Sequence, residues 1–80
     1  PQILQNVKVQ EKVPFEDLAG IQNALKKANE KLGDSGRVLL RYSGTENLAR
    51  VMVEGSNEEL VQECCAFLIA AVTQEIGVEE

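Results

Sequence analysis

Two arginines bracket one short segment of this 80-residue chain, Arg41-Tyr42-Ser43-Gly44-Thr45-Glu46-Asn47-Leu48-Ala49-Arg50. All three arginines fall between positions 37 and 50, while the chain carries a net charge of -5. An acidic protein that gathers its guanidinium groups around a Ser-Gly-Thr turn has the make-up of a small-anion site. Arginine offers a planar fork of donors that matches phosphate. Ser43 and Thr45 add hydroxyls, and Gly44 has no Cβ to keep an anion from the backbone. The amides of Gly44 and Thr45 can point inward as a nest. Glu46 is the discordant member, because a carboxylate repels phosphate; it either pairs with Arg41 or Arg50 or faces solvent. The segment also reads as an ordinary polar hairpin turn with its arginines in water, and residue types alone leave both readings open.

The elements that must position this segment can be read on either side of it. Arg37 to Tyr42 alternates as a strand, with Val38, Leu40 and Tyr42 on one face and Arg37, Leu39 and Arg41 on the other. Leu48 to Glu54 reads as a second strand, and Ser43 to Asn47 is a link of hairpin length. The spacing therefore predicts a loop at the tip of a β-hairpin with one arginine at the end of each strand. Upstream, Ile3 to Gln10 reads as a strand, broken by Lys12-Val13-Pro14. Phe15 to Leu32 predicts a helix, since Leu18, Ile21, Leu25, Ala28 and Leu32 draw one stripe. Pro14 stands at its entrance and Gly33 at its end as a left-handed cap. Asp34-Ser35-Gly36 makes a turn. Ser56 and Glu59 form a capping-box pair ahead of a second helix marked by Leu60, Cys64, Phe67, Leu68, Ala71 and Val72, ending near Ile76. The tail Val78-Glu79-Glu80 is expected to be loose. The order is β-α-β-β-α, an α+β domain over residues 1–80 with a small antiparallel or mixed sheet and both helices on one face.

Composition excludes several function classes. The acidic balance argues against nucleic acid, which needs a basic face. The longest apolar candidate, Cys64 to Val72, is nine residues, short of the ~18 that span a bilayer. There is no histidine, so the common Cys/His zinc spacings are absent, and neither a metal cluster nor a catalytic constellation is visible. Cys64 and Cys65 are adjacent on a helix, where their side chains diverge, and read as two small apolar residues of a reduced cytosolic protein. The chain opens at Pro1-Gln2 in what reads as a strand, which predicts a piece of a longer protein.

The run from Gly36 to Gly55, with its R-x-S-G-T-E core and an arginine four residues on, resembles the phosphate-binding loop of the α-D-phosphohexomutases. Pro1 to Val9 resembles the segment that opens the last domain of those enzymes, so the likeness covers essentially the whole chain. The ending Val51-Met52-Val53-Glu54-Gly55 resembles the glucosamine branch more than the glucose and mannose branches, and Glu46 is usual there. Asn47 departs from the pattern, standing where many relatives carry proline. The resemblance implies the fourth, C-terminal domain of a four-domain cytoplasmic enzyme, with a TATA-box-binding-protein-like fold. It implies interconversion of glucosamine 6-phosphate and glucosamine 1-phosphate, with the phosphoserine and Mg2+ carried by earlier domains. The partners implied are a sugar phosphate and the other three domains, with no nucleic acid and no membrane. Carried over residue by residue, Arg41, Ser43, Gly44, Thr45 and Arg50 would hold phosphate, and Glu46 matches the motif with a less defined role. Two readings from other classes remain, a stand-alone binding module for a phosphorylated metabolite and an interaction domain whose hairpin contacts another protein.

Overall fold

The apolar run Val51-Met52-Val53 is the middle of the domain. It lies in strand β3 (Leu48–Glu54), which takes the central place in a three-stranded sheet between β1 (Gln2–Lys8) and β2 (Arg37–Tyr42). A computed structural model describes residues 1–78. Both pairings of β3 are antiparallel, which resolves the sheet type that alternation had left open. A central strand loses solvent on both edges, and Ala49, Val51 and Val53 are fully buried on its inner face. Each such valine contributes roughly 1.5–3 kcal/mol of transfer free energy. Helices α1 (Ala19–Leu32) and α2 (Glu58–Ile76) pack on each other and on that same inner face. Among the described residues, no helix covers the opposite face of the sheet. The α+β class and the β-α-β-β-α order stand as expected from the sequence.

Several local expectations change. Strand β1 stops at Lys8, because the chain turns away from β3 toward the end of α2. There Val9 bridges Gly77, and the Gln10 amide donates to the Ile76 carbonyl at 2.8 Å. Gly77 is required at that meeting, since a Cβ there would fall 2.6 Å from the Thr73 backbone. Val78 is tied in rather than loose, its amide donating to the Lys8 carbonyl at 3.2 Å; Glu79 and Glu80 lie outside the described residues. The first helix begins at Ala19, not Phe15. Phe15–Asp17 is a separate 3-10 turn, and Leu18 is extended at φ -110° and ψ 96°. The break lets Phe15 turn out to stack on Tyr42, with ring centroids 4.1 Å apart.

Gly33 has the positive φ expected of a cap, 58°, but its ψ of -143° leads into a 3-10 turn over Gly33–Ser35 instead of a left-handed stop. The capping box moves by one residue. Asn57 is the cap of α2, its Oδ1 accepting from the Leu60 amide at 3.1 Å, and leucine at that position has no carboxylate to return the bond. The buried arc of α2 is wider than a stripe, taking in Val61 and Cys65 beside Cys64, Leu68 and Val72, because the helix lies on both the sheet and α1. Leu60, Phe67 and Ala71 are only half-buried. Both cysteines are free and buried, and loss of solvent is the main cause holding their thiols protonated, above the usual range. Among the described residues, no helix is long and apolar enough to cross a membrane.

Candidate anion site at the hairpin

Register decides what the two arginines face. Arg41 and Arg50 are direct partners across β2 and β3, and Asn6 of β1 is the partner of Arg50 on its other side. Alternation sends all three side chains to the face without helices, and all three residues are exposed. The result is a transverse row, Asn6–Arg50–Arg41, near the tip of the hairpin. Like charges directly opposite in a sheet destabilise it. Among the described residues, neither arginine has a carboxylate within the 4.0 Å of an ion pair; the pairs present are Lys31–Glu63 and Arg37–Glu54. Arg41 and Arg50, with Arg37, Leu4, Leu39 and Met52, line a shallow depression of about 340 Å3 on this face.

The loop between the strands is organised from within. The Ser43 amide donates to the Leu48 carbonyl at 2.8 Å, closing the hairpin. Ser43 is buried, 8% exposed, and its Oγ accepts from the amides of Thr45 and Glu46 at 3.4 and 3.3 Å. These long bonds make a serine turn in which two amides face the hydroxyl. The expected nest of Gly44 and Thr45 amides is therefore different in detail, because the Thr45 amide turns inward to Ser43. The Ser43 hydroxyl still has its own proton to donate. The Gly44 N–H has no acceptor among the described residues. Gly44 does not adopt a positive φ, and nothing lies within 4 Å of where its Cβ would be. The fold itself makes no demand for glycine here. Thr45 is exposed. Glu46 is exposed and has no ion-pair partner among the described residues. It lines a second depression of about 470 Å3 with Lys8, Asn47 and Leu48, which includes neither Arg41 nor Arg50.

Sequence reasoning missed the segment that braces this loop. Residues 9–15 run alongside it and touch it at four points. The Val9 amide donates to the Asn47 carbonyl at 2.9 Å, and the Lys12 ammonium donates to the Ser43 carbonyl at 2.5 Å. The Tyr42 hydroxyl donates to the Val13 carbonyl at 2.5 Å, and its ring stacks on Phe15. Burial, then the neighbouring charge of Glu11, pushes the Tyr42 hydroxyl above its usual range, while the bond to Val13 pulls the other way. So Tyr42 acts as a neutral donor that locks the loop to the strap. The 31 positions between Lys12 and Ser43 hide this contact from any local pattern. Among the described residues, no group of three His, Cys, Asp or Glu side chains could hold a metal ion.

Residues 4–71 match the family described as phosphoglucomutase/phosphomannomutase, C-terminal domain. Over 79 residues the chain is 54% identical to the phosphoglucosamine mutase of Chlamydia trachomatis serovar D, covering 99% of this chain and 17% of that protein. It is 50% identical over 80 residues to the phosphoglucosamine mutase of Chlamydia muridarum, covering 100% of this chain and 17% of the relative. The same comparison gives 44% over 78 residues with the phosphoglucosamine mutase of Koribacter versatilis, at 98% and 17% coverage. The chain thus spans 17% of the length of these curated relatives. The family match runs through both flanking strands and the arginine-bracketed loop, and the chain therefore belongs to the phosphoglucomutase/phosphomannomutase family, as its C-terminal domain.

Proposed function

We propose that this domain holds the non-reacting phosphate of a sugar phosphate within a cytoplasmic phosphoglucosamine mutase, which interconverts glucosamine 6-phosphate and glucosamine 1-phosphate through a bisphosphate. The observation that carries this reading is the Arg41–Arg50 rung, two arginines in direct register with no carboxylate within ion-pair distance of either among the described residues. A dianion between them removes the repulsion and satisfies both forks. Arg50 and Arg41 supply the charge, Ser43 and Thr45 their hydroxyls, and Gly44 its free amide. Glu46, which lines a different depression from the two arginines, is left outside this clamp. Relatives named phosphoglucosamine mutase favour the glucosamine branch over the glucose and mannose branches.

The division of labour is physically sensible. A bisphosphate intermediate must turn end for end between two transfers, and while one phosphate reacts, something must hold the other. A clamp that recognises phosphate without the sugar serves both orientations. Holding the remote group converts its binding energy into positioning at the reacting one. The phosphoserine and Mg2+ of such an enzyme belong to its other domains, and this domain's residues bind and orient.

Arg50→Ala in the full-length enzyme is the test. KM should rise and kcat fall together, with kcat/KM down by roughly 10- to 100-fold, the equivalent of the ~1.5–3 kcal/mol of a charge-assisted hydrogen bond. Arg50→Lys should recover only part, because an ammonium has no fork. Steady-state kinetics with both constants near wild type would remove Arg50 from the clamp.

A further inference from the structure

Lys12 sits in the strap before Pro14, outside the hairpin and outside the motif that marks the loop. Its ammonium donates to the carbonyl of Ser43, the first residue of the loop. A trans peptide carries its C=O and the following N–H on opposite sides, and the described chain has no cis peptide. A Ser43 carbonyl aimed at Lys12 therefore turns the Gly44 N–H away from the strap. That N–H has no acceptor among the described residues, and the space around the Gly44 Cα is open. The same contact occupies a carbonyl oxygen that would repel an anion if it swung toward the ligand. It also adds a formal positive charge beside a loop whose other side chain of formal charge, Glu46, is negative.

We propose that Lys12 is a positioning residue for phosphate binding: by holding the Ser43 carbonyl it aims the Gly44 amide at the anion and keeps the loop's dipole favourable. The inference rests on the phosphate reading of the loop and adds a residue that reading does not contain. Tyr42, through Val13, and Val9, through Asn47, fix the strap against the loop and give Lys12 a firm base. The remaining internal bonds of the loop tip, at 3.3 and 3.4 Å from Ser43, are too long to fix the peptide plane by themselves.

The test uses the full-length enzyme labelled with 15N-glycine, the Gly44 amide being identified by its absence in Gly44→Ala. Inorganic phosphate is titrated into the wild type, Lys12→Met and Lys12→Arg. In the wild type, the Gly44 resonance should move with phosphate. In Lys12→Met, the resonance should be displaced before any phosphate is added, and the apparent Kd should weaken about tenfold, the equivalent of ~1.4 kcal/mol. Lys12→Arg restores a cationic donor and should bring both back toward wild type, which a merely destabilised fold would not do. Should Lys12→Met fail to fold, Lys12→Gln carries the same comparison. Wild-type phosphate affinity in the neutral variant would overturn the role of Lys12 alone. A wild-type Gly44 resonance that ignores phosphate would overturn the phosphate reading of the loop first, and this inference with it.

Discussion

Strands β2 and β3 carry an arginine rung at each end of their ladder. Far from the loop, Arg37 faces Glu54 in register and the two form an ion pair. Beside the loop, Arg41 faces Arg50 in register and, among the described residues, no carboxylate comes within ion-pair distance. On β1 the flanking residues are also alike: Gln2 is the partner of Glu54 and Asn6 that of Arg50, an amide side chain in each row. The two rows thus differ chiefly in one residue of β3. A sheet built for stability alone would repeat the first row, because opposite charges across strands gain ~0.2–1 kcal/mol and like charges cost a similar amount. The second row forgoes that gain, and its surplus charge lies where the chain also offers a serine hydroxyl, a threonine hydroxyl and a free glycine amide.

The largest effect is expected when the two rows are made alike. Arg50→Glu converts the loop-end row into a copy of the far one. Stability should rise by a few tenths to ~1 kcal/mol, read from chemical denaturation. In the full-length enzyme, kcat/KM should fall by about a thousandfold, ~4 kcal/mol, because one fork is lost and a repulsive carboxylate takes its place. Opposite signs for stability and activity are the signature of charge held in reserve for a ligand. A variant that lost stability and kept activity would show that the arginine rung serves the fold.

A smaller effect is expected at Gly44, where the comparison concerns backbone instead of charge. Nothing lies within 4 Å of a Cβ built there, and the φ is one that alanine adopts. Gly44→Ala should therefore leave stability unchanged or raise it by up to ~1 kcal/mol through the unfolded chain. KM for the sugar phosphate should nonetheless rise roughly tenfold, ~1.4 kcal/mol, as the methyl group stands where the anion approaches the amide. Gly77 is the contrasting glycine, since there a Cβ would strike the Thr73 backbone and the loss would be one of folding. Equal KM values for Gly44→Ala and wild type would mean that the Gly44 amide plays no part in binding.

How far this was legible from the sequence follows from which contacts are local. Alternation along Arg37–Tyr42 gave the correct inward and outward residues one by one, since a half-buried edge strand exposes its period of two directly. The hairpin placed Arg41 and Arg50 on facing strands, but their direct register depends on how the loop closes, through Ser43 and Leu48. Helix α1 was seen too long because its stripe continues through Leu18, while the break there answers to Phe15 meeting Tyr42 across 27 positions. Lys12 was invisible for the same reason, since a lysine before a proline has no local feature that marks a distant carbonyl as its partner. The sequence named the donors of the candidate site, and the long-range brace that aims them required the fold.

The smallest predicted effect comes from the converse exchange. Glu54→Arg removes the partner of Arg37 and makes the far row a near copy of the loop-end row, amide side chain included. The Arg37–Glu54 pair lies near the surface, with the two side chains 64% and 36% exposed, so its loss costs at most about 1 kcal/mol. The facing cations add a few tenths more. Catalysis in the full-length enzyme should be unchanged, and the new pair should bind inorganic phosphate far more weakly than the loop end. The backbone beside the far row is closed to an anion: a Cβ on Gly36 would fall 2.4 Å from the Glu54 carbonyl, whereas nothing lies within 4 Å of the same position at Gly44. If the engineered row instead bound phosphate as tightly as Arg41 and Arg50 do, two registered arginines would be a sufficient site, and Ser43, Gly44 and Thr45 would owe their place to the turn alone.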